Sequence, residues 1–144
     1  MPVSKVEELL LAVQQQSNEN YVISLGKINE DVAAQIGLAC GIDVRDYEIS
    51  LDVYAIKHIF KNHGNAEKEE KRGQIAIQGS DFELIEEIIN APDVVFYDGK
   101  NKIGREVLQF QKQVKNRYII LKEVRTGKKQ LSLNSMRIIK YKKD

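Results

Sequence analysis

The chain has 144 residues, enough for one domain with a real core, and its 42% hydrophobic and 30% charged residues are ordinary for a globular protein. No apolar run approaches the length of a bilayer span, and no basic, apolar and small-residue succession at the N-terminus resembles a signal peptide. The net charge of +1 hides a division: residues 1–99 carry 8 basic and 18 acidic side chains, residues 100–144 carry 14 basic and 3 acidic.

Ser4 followed by Glu7 fits a capping box opening the helix "SKVEELLLAVQQQ". "YVISLG" reads as a short strand. "NEDVAAQIGLACG" reads as a second helix, with Asn29 as N-cap and Gly41 past its end. "YEISLD" is a brief extended piece, after which Asp52 caps "VYAIKHIFKNH" and Gly64 ends it. "NAEKEEKRG" has no apolar anchor and predicts a solvated, mobile loop. "QIAIQG" is a small strand, and Ser80 caps the helix "DFELIEEIIN", whose Phe82, Ile85, Ile88 and Ile89 share one face. Pro92 ends that helix. Beyond it, "DVVFYDGK", "EVLQFQKQV", "RYIILKEV" and "QLSLNSMRIIK" follow one another with short turns, the pattern of an antiparallel meander. The expectation is one α+β domain over residues 1–144: mainly helical residues 1–92 packed on a C-terminal four-stranded antiparallel sheet at residues 93–140.

Both histidines lie in one helix. Ile56, Ile59, Phe60 and His63 fall on its core-facing stripe, while His58 is offset from His63 by roughly 140° and lies on the flank with Ala55 and Asn62. His63 is therefore either a half-buried terminator of the helix or a functional group, and His58 either a surface residue or its partner. Lys112 breaks the apolar face made by Leu108, Phe110 and Val114, with Gln109, Gln111 and Gln113 opposite. It either snorkels at the sheet edge or projects a cation into a cleft. Ser135 follows Leu131 and Leu133 on an apolar face. Cys40, the only cysteine, cannot form an internal disulfide, sits among small apolar residues, and implies a reducing, cytoplasmic setting.

The basic C-terminal part points to a polyanion, nucleic acid above all; the other reading is that the two parts neutralise each other within one compact domain. Cleaving RNA at the 2′-hydroxyl without metal needs a base, an acid, and cations or donors for the phosphorane. One or two histidines, a lysine and a hydroxyl can supply these. No DxD, HExxH, Cys/His ligand set, GxxxxGK[ST] loop or GxGxxG fingerprint occurs, which disfavours metal-, nucleotide- and dinucleotide-dependent chemistry.

The succession "SLGKINEDVAAQIG", "AIKHIFKNHG", "SDFELIEEIINAPDVV" and "FQKQVKNRYIILKEVRTGKKQLSLNSM" resembles the phage and mobile-element nucleases of the barnase–EndoU–colicin–RelE type, found in phage head-associated and polymorphic toxin proteins. The resemblance covers about Tyr21 to Ile139. It implies a helical start, a four-stranded sheet and metal-independent RNA cleavage. Its HxxxxHG element falls on His58 and His63, its strand lysine on Lys112, its acid on Glu123 and its hydroxyl on Ser135. Arg137 stands where a tyrosine is usual.

The expected function is then a toxin-type endoribonuclease that uses no cofactor and no metal. His63 and His58 act as acid and base, Lys112 stabilises the phosphorane, Ser135 bonds a phosphate oxygen, and Glu123 orients or assists the base. Arg117, Lys122, Arg125 and Arg137 contact RNA. Expected partners are RNA, tRNA among the candidates, and an antitoxin or immunity protein; delivery into a target cell or carriage with phage particles are alternative settings. The rival functions are an inactive RNA-binding or protein-interaction module and a phage structural accessory.

Overall fold

Helix α1 (Lys5–Gln14) opens as its capping residues require, the Ser4 hydroxyl accepting from the Glu7 amide at 3.0 Å. The computed structural model describes residues 4–15 and 20–140, so the expected last residue of this helix, Gln16, lies outside the described residues. Strand β1 (Val22–Lys27) leads to helix α2 (Glu30–Cys40), capped by Asn29 at 2.8 Å to the Asp31 amide. Gly41 closes that helix at φ +71°, a conformation a side chain would resist.

Strand β2 (Glu48–Asp52) turns directly into helix α3 (Val53–His63), with the Asp52 carboxylate accepting from the Ala55 amide at 3.1 Å. Gly64 stops α3, and a Cβ there would lie 2.5 Å from the Phe60 carbonyl oxygen, so no other residue fits without movement.

The charged run after Gly64 is not a loop. It forms helix α4 (Ala66–Lys71), capped by Asn65 and anchored by a fully buried Glu69. Short strand β3 (Gln74–Ile75) follows. The next helix is also organised differently from expectation: a 3-10 turn over Gly79–Leu84 runs into α5 (Ile85–Asn90). Asp81, not Ser80, holds its start, accepting from the Gln78 amide at 2.7 Å. The apolar face is as the spacing predicts, with Phe82, Ile85, Ile88 and Ile89 all fully buried.

Strands β4 (Val94–Lys100), β5 (Glu106–Gln113), β6 (Arg117–Arg125) and β7 (Gln130–Ile139) form the expected antiparallel meander. The sheet, however, has seven strands instead of four, in the order β1-β2-β7-β6-β5-β4, with β3 also on β7. One edge of β7 is shared: β2 runs parallel to it along Gln130–Ser132, and β3 runs antiparallel to it at Ile138 and Ile139. Residues before Pro92 thus supply three strands to this sheet as well as the helices that cover one of its faces. No helix among the described residues is long and apolar enough to cross a membrane.

Alternation along each strand sends Leu108, Phe110, Ile120, Val124, Leu131, Leu133, Met136 and Ile138 into the core, against Ile56, Ile59, Phe82 and Ile88 from the helices. Lys122, expected on the RNA-binding surface, belongs to this inward set. It is fully buried, and its Nζ donates to the Ser50 carbonyl at 2.6 Å. Burial lowers its pKa to about 7, with nearby Asp52 acting in the other direction.

Because the unfolded lysine titrates near 10.5, the unfolded chain binds more protons than the native one between about pH 7 and 10.5, and stability should rise with pH across that window. Urea unfolding above pH 7, kept below the tyrosine range, should show the rise, and Lys122→Met should flatten it. A slope unchanged by that substitution would remove Lys122 as its cause.

Candidate nucleic-acid interface

The sheet face away from the helices carries the outward half of each strand. On β6 these residues are Arg117, Ile119, Leu121, Glu123 and Arg125, paired across to Gln113, Gln111, Gln109 and Val107 on β5 and to Arg137, Ser135 and Ser132 on β7. Ser135 reaches this face through an extra residue. Pairing shifts between Leu121↔Ser135 and Lys122↔Leu133, so Asn134 is bulged and the alternation of β7 is reset beyond Leu133. Ser135 is therefore opposite, not alongside, the apolar residues Leu131 and Leu133 that it follows in sequence.

At the centre of the charge is Glu123. Arg105 Nη1 donates to its Oε1 at 2.7 Å, Arg125 Nε to the same oxygen at 2.8 Å, and Asn101 Nδ2 to Oε2 at 2.6 Å. Burial alone would raise this carboxyl, but the hydrogen bonds from Arg105, Arg125 and Asn101 outweigh it and hold it below its ordinary value. The carboxylate side chain is only 8% exposed, while Arg105 and Arg125 keep 46% and 31% of theirs open to solvent. Arg105 and Arg125 also line a groove of about 570 Å3, together with Lys100, Lys128 and the carboxylate of Glu106. Four cations against one carboxylate leave the groove with a positive balance suited to an anion.

Beside it, towards the β4 edge, runs a chain of side-chain amides. Gln111 Nε2 donates to Gln109 Oε1 at 2.6 Å, and Gln109 Nε2 donates to Asp98 Oδ1 at 3.1 Å. Phe96 pairs with Gln109 on the same face and is 38% exposed.

The residues expected to act together are thereby divided. Glu123, Ser135, Arg117, Arg125 and Arg137 share the open face. Lys112 is on the helix-bearing side, paired with inward Tyr118, and its Nζ donates to the Ala91 carbonyl at 2.5 Å. Tyr118 in turn donates to Asp81 at 2.6 Å. His63 also lies outside the open face, at the end of α3, with Nδ1 at 3.2 Å from buried Glu69, whose other oxygen meets Arg72 at 3.2 Å. His58 is exposed and lies against Asn62 at 3.1 Å. Among the described residues no hydrogen bond joins the two histidines.

Sequence reading passed over Asn101, which sits in a segment read only as a turn, and Arg105, which falls between that turn and the next strand. The outward alternation of Gln109 and Gln111 was the signal available for the amide chain. Among the described residues no three His, Cys, Asp or Glu side chains gather as a metal-ligand set.

A mostly antiparallel sheet with helices on one face and a carboxylate held between two partly exposed arginines on the other is an architecture suited to holding a phosphate backbone. The chain belongs to the family described as phage-Barnase-EndoU-ColicinE5/D-RelE like nuclease 3, which matches residues 24–144. It is thus a phage-associated nuclease by family, with nucleic acid as its substrate class. No curated protein and no solved structure matches the chain significantly.

His63→Ala tests the α3–α4 clamp. Leaving one hydrogen-bonding partner of a buried carboxylate unmet should cost about 1–3 kcal/mol, read by denaturant unfolding. An unchanged midpoint would mean that Arg72 alone satisfies Glu69.

Proposed function

We propose that this nuclease cuts RNA on the open face of the sheet, without metal, by attack of the 2′-hydroxyl on the adjacent phosphate. The observation that carries this reading is the Glu123 carboxylate held between the guanidinium groups of Arg105 and Arg125. A carboxylate offers about four lone-pair positions. The three hydrogen bonds from Arg105, Arg125 and Asn101 leave one, on Oε2, to accept the 2′-hydroxyl proton. As the 2′-oxygen bonds to phosphorus, negative charge grows on the non-bridging oxygens, and the two arginines lie beside it. The P–O5′ bond then breaks, solvent at the open face protonates the leaving oxygen, and a 2′,3′-cyclic phosphate and a 5′-hydroxyl result. Ser135 and Arg137, farther along the same face, hold a flanking phosphate, and Arg117 extends the basic track.

A second reading rests on His63. Its Nδ1 is fixed by Glu69, the arrangement that orients an imidazole for proton transfer through Nε2. Paired variants separate the two. Glu123→Gln should lower cleavage of labelled total RNA and tRNA in EDTA by about 10²–10⁴-fold. Arg105→Ala and Arg125→Ala should each lower it by about 10²–10³-fold and weaken the salt dependence of binding. Folded His63→Ala should cut normally. Loss of cutting in folded His63→Ala, with Glu123→Gln unaffected, transfers the chemistry to the helix side. A parent protein that binds RNA but cuts none is the inactive module.

Because Glu123 is held below its ordinary value, the acid limb of kcat/KM should lie below pH 4.5. A limb near the histidine range would favour His63.

An uncovered cationic face that degrades cellular RNA also calls for an inhibitor, an antitoxin or immunity protein. Expression of the parent alone should be toxic and expression of Glu123→Gln tolerated. Equal tolerance of both would count against intracellular RNA as the target.

A further inference from the structure

The connection from β4 to β5, residues 101–105, is a part of the site that burial does not shape. Lys102, Ile103, Gly104 and Arg105 are all exposed, and its only apolar side chain, Ile103, is 69% open to solvent. The path of this turn is set by one residue instead. The Asn101 amide donates to the Arg105 carbonyl at 2.9 Å, and the Asn101 carbonyl accepts from the Gly104 amide at 3.0 Å. Its side-chain Oδ1 accepts from the amides of Ile103 and Arg105 at 3.2 and 3.0 Å. A short polar side chain thus closes the turn by standing in for backbone acceptors.

The other end of the same carboxamide leaves the turn. Nδ2 donates to Glu123 Oε2 at 2.6 Å, while Arg105 reaches Oε1 at 2.7 Å. Both ends of one turn therefore grip one carboxylate, one on each oxygen. The orientation of the amide is forced. Reversed, its amino group would face two backbone donors and its carbonyl would face the carboxylate. We infer that Asn101 is the positioning residue of this site, setting the place of the Arg105 guanidinium and the direction of the Glu123 carboxylate; this rests on Glu123 being the base. Without the turn bonds, Arg105 would carry its charge on an unanchored segment. A cation that must be ordered during the reaction stabilises the phosphorane less than one already in place. Without Nδ2, Oε2 would regain a second open position, and the acceptor for the 2′-hydroxyl proton would lose its single direction.

Substitution separates the two tasks. Asn101→Asp keeps an acceptor for the turn amides but turns an oxygen, not a donor, towards Glu123. Carboxylates in contact disfavour each other's ionisation and titrate as a pair. Asn101→Ala removes both tasks. The Glu123 carboxyl is followed by carbon-13 NMR, assigned by comparison with Glu123→Gln, and cleavage of labelled RNA in EDTA is measured across pH. In Asn101→Asp the carboxyl midpoint and the acid limb of kcat/KM should both move up by about one pH unit or more. Asn101→Ala should lower kcat and kcat/KM alike by about 10²-fold. Ile103→Ala, in the same turn but with its side chain in solvent, should match the parent. Thermal melting verifies that each variant is folded. A parent-like midpoint and pH profile in Asn101→Asp would make Asn101 a turn former only and overturns the inference. A loss in Ile103→Ala equal to that in Asn101→Ala overturns it too, since any disturbance of the turn would then suffice. The titration needs no turnover, so the two readings can fail separately. If Glu123→Gln abolishes cutting while Asn101→Asp matches the parent, the positioning role fails and the cleavage reading stands. If the midpoint moves in Asn101→Asp but neither this substitution nor Glu123→Gln alters cutting, Asn101 directs a carboxylate that is not the base, and the cleavage reading fails.

Discussion

The two-residue period of β6 holds the molecule in its two roles. This strand is hydrogen-bonded on both edges, to β5 and to β7, over nearly its whole length. Its register is therefore set from both sides, and a slip of one residue would exchange its faces. Tyr118, Ile120, Lys122 and Val124 go inward, and Arg117, Leu121, Glu123 and Arg125 go outward. The core and the charged face are consequently one decision made twice. Adjacent Lys122 and Glu123 illustrate it: both are withdrawn from water, but one is held by a backbone carbonyl under the helices and the other by two arginines on the open side.

Charge asymmetry along the chain takes a specific form in space. The basic excess after residue 99 does not coat the whole surface. Lys122 is spent in the core and Lys112 on the end of α5, so the cations available to a polyanion are chiefly arginines of the outward strand positions and lysines of the turns. Arginine suits the task because its planar fork can hold Glu123 with some donors and leave others free.

The meander was legible because each strand alternates and each connection is short, so pairing partners are neighbours in sequence. The other three strands were legible as strands but not as members of the same sheet. Ser50 and Ser132 touch at 3.1 Å from 82 positions apart, and no local pattern announces such a contact. Helix α4 was illegible for a related reason: without an apolar stripe, it depends on Glu69 meeting His63 and Arg72. The stripe that ends at His63 correctly marked a half-buried histidine, yet periodicity along one helix cannot say what lies across from it. Ser135 was misassigned in orientation because a single-residue bulge at Asn134 leaves no signature in hydropathy.

The divided edge of β7 has a consequence for the order in which the sheet can come apart. Each hairpin of the meander closes a short loop, whereas the parallel contact of β2 with β7 closes the longest one in the sheet and recovers only three residue pairs. Loop-closure entropy weighs most on that seam, and only these three pairs oppose it there. Opening there releases β2, with β1 attached to it, while β4 to β7 stay zipped with their outward arginines, Glu123 and Ser135 in register. The seam with the longest closure thus runs beside the arginine-bearing face without crossing it.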